Sequence, residues 1–241
     1  DVVKKLKNHK VNTDYVMTMP GGMGTWLAVF DHNGDLAGSI SQRPNLMPIL
    51  GLLEEKGDEI FANADSVIVE VDMDKDIIKK VVTLAKQYNK KLYGVVSNMS
   101  IAVERRDFLK HFDCFICNQL EAGMLFMEDY ADKSPEELRD ILSKRVILGK
   151  IPAMIVTMGG NGAVYADVNG EKGICPPQRV RVKDTTGAGD AFCAGVASGL
   201  TYGKKLSEAV EIGSRLAASV ITSSENVCPR FLPEEFGITL D

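Results

Sequence analysis

The sequence predicts an α/β protein built on a mostly parallel sheet covered on both faces. Short apolar runs with strand character alternate with longer stretches of helical periodicity along most of the chain. The strand-like runs are continuously apolar, as strands buried on both faces are. A string of small residues between an extended run and a helix adds a third pointer. Sheets of this kind hold their ligands outside the carboxyl ends of the strands.

Each element has its own signal. Val2 to His9 is amphipathic. Trp26 to Phe30 is strand-like and is followed by the turn sequence Asp31-His32-Asn33-Gly34-Asp35. Met47 to Lys56 reads as a helix and Ser66 to Val71 as a buried strand. Between Asp74 and Lys90, apolar residues at Ile77, Ile78, Val81, Val82, Leu84 and Ala85 recur with helical spacing. Leu92 to Val96 is the next strand, Ala102 to Lys110 a charged helix and Cys114 to Cys117 a strand. Asn118 to Met127 reads as a helix. Ser134-Pro135-Glu136-Glu137 starts another, with Ser as cap, Pro at the first helical position and acids near the positive end. Ala153 to Thr157 is a strand, and Gly162 to Asp167 and Gly173 to Val182 are hairpin pieces. Gln178 to Lys183 leads, extended, into a helix over Gly187 to Gly199, and Leu206 to Ser223 forms the last helix. Residues 11 to 45 alternate in short polar and apolar steps and are expected to form a small appended sheet.

Composition narrows the classes. The 241 residues suit one sizeable domain, or one with a small appendage. Lys and Arg number 28 against 33 Asp and Glu, a net charge of -5. No basic run resembles a phosphate-backbone footprint, so nucleic acid is not expected as a partner. No apolar run reaches bilayer length and no signal-peptide pattern is present, so the expected location is cytoplasmic. Five scattered cysteines do not form a disulfide framework. Cys114 and Cys117 make a C-x-x-C, but they sit in an apolar run with no second pair nearby. Buried small hydrophobes account for them better than zinc or redox chemistry.

The most informative stretch is Asp184-Thr185-Thr186-Gly187-Ala188-Gly189-Asp190-Ala191-Phe192. Three small residues stand where a helix begins. The first-turn amides have no partner inside the helix, and that end of the dipole is positive. With no bulky side chain at Gly187, Ala188 and Gly189, a phosphate or developing oxyanion can approach the donors closely. Asp190, in the same turn, suits a base that takes a substrate hydroxyl proton during phosphoryl transfer. A helix-capping Asp after a Gly turn is the plainer alternative for G-x-G-D alone.

The full string resembles the C-terminal signature of the ribokinase-like (PfkB) carbohydrate kinases, which phosphorylate hydroxyls of sugars and nucleosides with ATP and a divalent ion. That resemblance implies a three-layer sandwich with a small β lid. It assigns the anion hole to Gly187, Ala188 and Gly189, and the base to Asp190. Asn118-Gln119-Leu120-Glu121 matches the family's N-x-x-E, so Asn118 and Glu121 are expected to organise Mg2+ and phosphate, commonly through water. Thr157-Met158-Gly159-Gly160-Asn161-Gly162 matches T-x-G-x-x-G, which places Thr157, Gly159 and Gly162 near the nucleotide. Asp184 and Thr186 stand where several members bind a potassium ion; stabilising the turn is the other reading of Asp184. The three motifs occur in family order. No P-loop or dinucleotide fingerprint is present.

The family's opening strand, substrate-binding Asp and Gly-Gly pair have no counterpart. Gly21-Gly22 lies after, not before, the stretch Val11 to Asp14 that matches the family. The expectation is a kinase domain over 1–241 lacking the usual N-terminal segment, with 11–45 contributing to the lid. Residues 23 to 42, Val95-Val96-Ser97-Asn98 and Gly170 to Gly173 are more similar to pseudouridine kinases than to ribokinase, although the subfamily's D-P is absent before Ser97. Trp26 either stacks on a ring or fills a core. Pseudouridine or another nucleoside is the leading substrate expectation, beside a simple sugar or a vitamin-type alcohol. A non-catalytic nucleotide-binding protein is the rival of a different class. The apolar small sheet at 16–42 implies a homodimer joined there.

Overall fold

The computed structural model describes residues 1–30, 36–97, 102–223, 227–228 and 231–239. The predicted turn Asp31 to Asp35 and Asn98 lie outside them. The chain forms two compact units, Asp1–Gly57 and Asp58–Asp241.

In the first unit, α1 (Val2–Asn8) has no buried residue. Strands β1 (Thr25–Phe30) and β2 (Leu36–Gln42) form an antiparallel pair in which Leu27 faces Ile40 and Trp26 faces Ser41. This is the small sheet expected within 11–45. Trp26 is 59% exposed, so the core reading of that residue fails. Helix α2 (Pro48–Ala62) runs longer than its predicted span.

The second unit carries a six-stranded sheet in chain order. Its strands are β3 (Ser66–Glu70), β4 (Lys91–Val95), β5 (Cys114–Asn118), β6 (Ala153–Thr157), β7 (Ala163–Asp167) and β8 (Lys172–Cys175). The first four run parallel, and β7 and β8 are antiparallel additions. Helix α3 (Lys75–Gln87) buries all six of its predicted apolar positions. Helices α4 (Gln119–Phe126) and α5 (Pro135–Gly149) follow β5. In α5, Ser134 accepts the Glu137 amide while Glu137 accepts the Ser134 amide, a complete capping box. Helices α6 (Ala188–Thr201) and α7 (Leu206–Ile221) cover one sheet face, where Phe192, Val196, Ala209 and Val210 pack with Tyr93, Ile116 and Ile155.

Two expectations need correcting. The predicted charged α-helix at 102–110 is a 3-10 helix over Val103–His111. Only Leu109 in it is buried, so there is no apolar stripe for packing to reward at α-helical spacing. The predicted extended run Gln178 to Lys183 joins no strand: β8 ends at Cys175, and Pro176 and Pro177 cannot donate to a ladder. Cys114 and Cys117 are buried free thiols, and burial pushes both well above their ordinary pKa. Among the described residues, no helix is long and apolar enough to cross a membrane.

Candidate active site

The carboxyl edge of the sheet brings two of the three motifs side by side. Strand β5 ends at Asn118 and β6 at Thr157, and these two residues are register partners. Asn118 turns the chain into α4: its side-chain Oδ1 accepts the Glu121 amide at 2.8 Å, and Glu121 Oε2 accepts the Asn118 amide at 2.7 Å. The pair is therefore a closed capping box. Partial burial raises the pKa of Glu121, opposed by the Asn118 amide. One carboxylate of this kind fits a magnesium ion that keeps most of its waters and takes its other ligands from phosphate. No cluster of three His, Cys, Asp or Glu side chains able to hold a metal occurs among the described residues.

Beyond Thr157 the chain makes a tight turn. Met158 donates its amide to Gly162 O at 2.8 Å, around a single 3-10 turn at Gly159–Asn161. Gly162 has φ +86°, and a Cβ there would lie 2.1 Å from Cys175 O. Glycine is required at 162 by the end of β8, before any ligand is considered.

The third motif is built differently. Asp184 Oδ1 accepts the Thr186 amide at 2.8 Å, and that bond lowers the Asp184 pKa. Ala188 donates to Thr185 O at 3.1 Å. Gly187, at φ +81°, then starts α6 without a side-chain cap. The helical ladder begins with Ala191 donating to Gly187 O at 3.0 Å, so the Gly189 and Asp190 amides lie ahead of it. Both residues are exposed. A Cβ added at Gly189 would meet nothing within 4 Å. The protein's own packing gives no reason for glycine at 189.

Cys193 lies one turn further along α6 than Asp190. Burial raises this thiol's pKa to about 12, with the Asp190 and then the Glu121 carboxylate adding to the shift. The structure also has hollows of about 330 Å3, beside Leu120 and Met124, and about 290 Å3, between Ile68 and Ser198; neither is lined by Asp190 or Glu121.

Known proteins match most of the chain. Residues 1–228 match the pfkB family carbohydrate kinase domain. The guanosine-inosine kinase of Exiguobacterium acetylicum is 36% identical over 233 residues, which cover 93% of this chain and 74% of that protein. The pseudouridine kinase of Escherichia coli is 24% identical over 223 residues, covering 88% and 66%. The crystal structure of ribokinase from Thermotoga maritima superposes with a TM-score of 0.67 at 19% identity, covering 94% of this chain and 72% of that one; it shares the fold. This chain therefore belongs to the PfkB carbohydrate kinase family, ribokinase-like phosphotransferases that use ATP to phosphorylate hydroxyls of sugars or nucleosides.

Proposed function

We propose that this kinase phosphorylates the sugar hydroxyl of a nucleoside, with a purine nucleoside such as guanosine or inosine ranked ahead of pseudouridine. The 36% identity to a guanosine-inosine kinase, against 24% to a pseudouridine kinase, supports that order. A simple sugar is the second reading. The single observation carrying the mechanism is the uncapped start of α6, with Gly187, Ala188 and Gly189 offering an open approach to its amides and Asp190 exposed beside them.

In this reading the amides ahead of Ala191 face the transferring phosphoryl group and disperse its charge. The Asp190 carboxylate accepts the proton of the attacking hydroxyl. Asn118 and Glu121 orient waters around the Mg2+ that accompanies ATP, and the 157–162 turn, with Thr157, Gly159 and Gly162, lies along the nucleotide. A potassium ion at Asp184 and Thr186 belongs to the same proposal. Replacing K+ by Na+ lowers kcat if the ion is held there, and an unchanged rate removes it. Residues 11–45 act as the lid within a kinase domain spanning the chain. The lid's apolar strand face, with Leu27, Val29 and Ile40 at 58%, 56% and 71% exposure, joins a second copy. Sedimentation as a clean monomer at high concentration removes the dimer.

The test is ATP consumption with guanosine, inosine, pseudouridine and ribose, each beside Asp190→Asn. Turnover highest with a purine nucleoside, and reduced roughly a hundredfold or more by the substitution, is the expected result. Turnover within about threefold of wild type would sink the assignment of the base.

A further inference from the structure

Between β8 and α6 the chain carries a second electrostatic feature, separate from the helix start. Arg179, Arg181 and Lys183 occupy alternate positions in the segment after Pro176-Pro177. All three are exposed, and none makes an ion pair with another described residue. Some cations of this unit are paired, Lys91 with Asp113, Arg139 and Lys172 with Asp140, and Arg145 with Glu128; what sets this row apart is its alternate spacing and its place between two motif turns. In a chain of net charge -5, three unmatched cations within five residues are a local reversal of sign.

Their placement is fixed at both ends. Upstream, Gly162 packs against Cys175 and the two prolines, which ties the segment to the 157–162 turn. Downstream, the Lys183 amide donates to Ile221 O at 2.8 Å, and the Asp184–Thr186 turn follows directly. Lys183 is four residues from Gly187, so the chain between them spans at most about 14 Å. The row thus runs from one proposed nucleotide-contacting turn toward the other. That distance exceeds the screening length at physiological salt, about 8 Å, but lies within the roughly 30 Å of 0.01 M salt, so the field of these cations reaches the helix start only when salt is low.

We infer that Arg179, Arg181 and Lys183 form an approach rail for the polyphosphate chain of ATP. The inference rests on the proposed nucleotide site and adds residues that none of the three motifs contains. Lining the way to a site with one sign of charge raises the local concentration of an oppositely charged ligand and its association rate by 10- to 1,000-fold, an effect that falls steeply with ionic strength. Asp184, whose carboxylate is used by the Thr186 amide, is the acidic group nearest in sequence and only partly offsets the row. The ligand class is a linear phosphate chain carrying several charges; neutral nucleosides gain nothing from it.

The experiment replaces Arg179, Arg181 and Lys183 together by Ser in the full chain. Calorimetry then measures binding of Mg-ATP and of inorganic tripolyphosphate at low and at about 0.5 M salt. Steady-state KM and kcat are recorded alongside. The expected result is a roughly tenfold weaker binding of both ligands at low salt, closing to near equality at high salt. The KM for ATP should follow, while kcat and the KM for the nucleoside stay within about twofold. The double variant Arg179→Lys, Arg181→Lys, which keeps Lys183, should bind like wild type, which separates charge from folding. Equal affinities and equal salt slopes in wild type and Ser variant overturn the inference, as does a change confined to the nucleoside KM. Weaker binding of ATP with unchanged binding of tripolyphosphate also overturns it, because the base or ribose would then be the group sensed. Calorimetry needs no turnover, so failure of Asp190 as the base leaves this readout intact, and failure of the rail leaves the Asp190→Asn result intact.

Discussion

Helices α4 and α6 both start with a motif expected to serve phosphate, yet one start is closed and the other open. At α4, Asn118 and Glu121 satisfy each other's amides at 2.8 and 2.7 Å. At α6, Gly187 has no side chain to cap with, and the first ladder bond waits for Ala191. The closed start holds a carboxylate in place. The open one leaves its first amides without a side-chain cap, which is what the proposed phosphate site needs. Glycines separate the same way: Gly162 is demanded by Cys175 O at 2.1 Å from its would-be Cβ, whereas Gly189 has clear space around it. Residues alike in sequence are therefore held by packing in one place and left open in the other.

Substitutions can break that contrast. Gly189→Val should cost the most activity, roughly a hundredfold in kcat/KM, because a branched side chain blocks the exposed donors. Its melting temperature should stay within about 2 °C of wild type, since residue 189 is exposed and a Cβ there meets nothing within 4 Å. A large loss of stability there would mean that the glycine serves the fold instead. Gly162→Ala should do the reverse, lowering stability by about 2–3 kcal/mol in denaturant melts through the clash and the positive φ. Asn118→Ala should remove the α4 cap and cost about 1 kcal/mol by the same measurement. It should also slow turnover if the cap is what orients Glu121.

The smallest effect is a pH dependence. Burial raises the Glu121 pKa, so its carboxylate is lost at a higher pH than an ordinary one as acid is added. Activity that needs the ionised form should fall on the acid side from that raised value downward, and Glu121→Gln should be uniformly slower without that limb. For stability the sign is opposite: the folded state holds this proton more tightly than the unfolded chain. The contribution is present at low pH and fades as pH rises from the ordinary Glu value to the raised one. Wild type should therefore lose stability relative to the Gln variant across that window in pH-resolved melts.

Much of the fold was legible because its signals are local. The spacing of Ile77, Ile78, Val81 and Val82 announced α3, Ser134-Pro135 announced α5, and AMIVT gave the bounds of β6. The errors have local causes as well. At 103–111 the charge pattern hid the lack of an apolar face, and at 178–183 alternating Arg and Val outweighed two prolines that end the strand. The motifs placed Asn118, Thr157 and Asp190 at the right element ends, but not their relation to one another.

The amino-acid order by itself determined which residues could begin a helix, which runs had to be buried, and that a small-residue turn would carry Asp190 into α6. Those choices depend on neighbours within a few positions. Tertiary structure alone decided that Asn118 and Thr157 stand side by side, that Cys193 is partly buried, and that Gly162 is packed while Gly189 is open. Such facts depend on strand register and on contacts between residues far apart in the chain. No local pattern encodes them, because the energy that fixes them exists only once the sheet has formed.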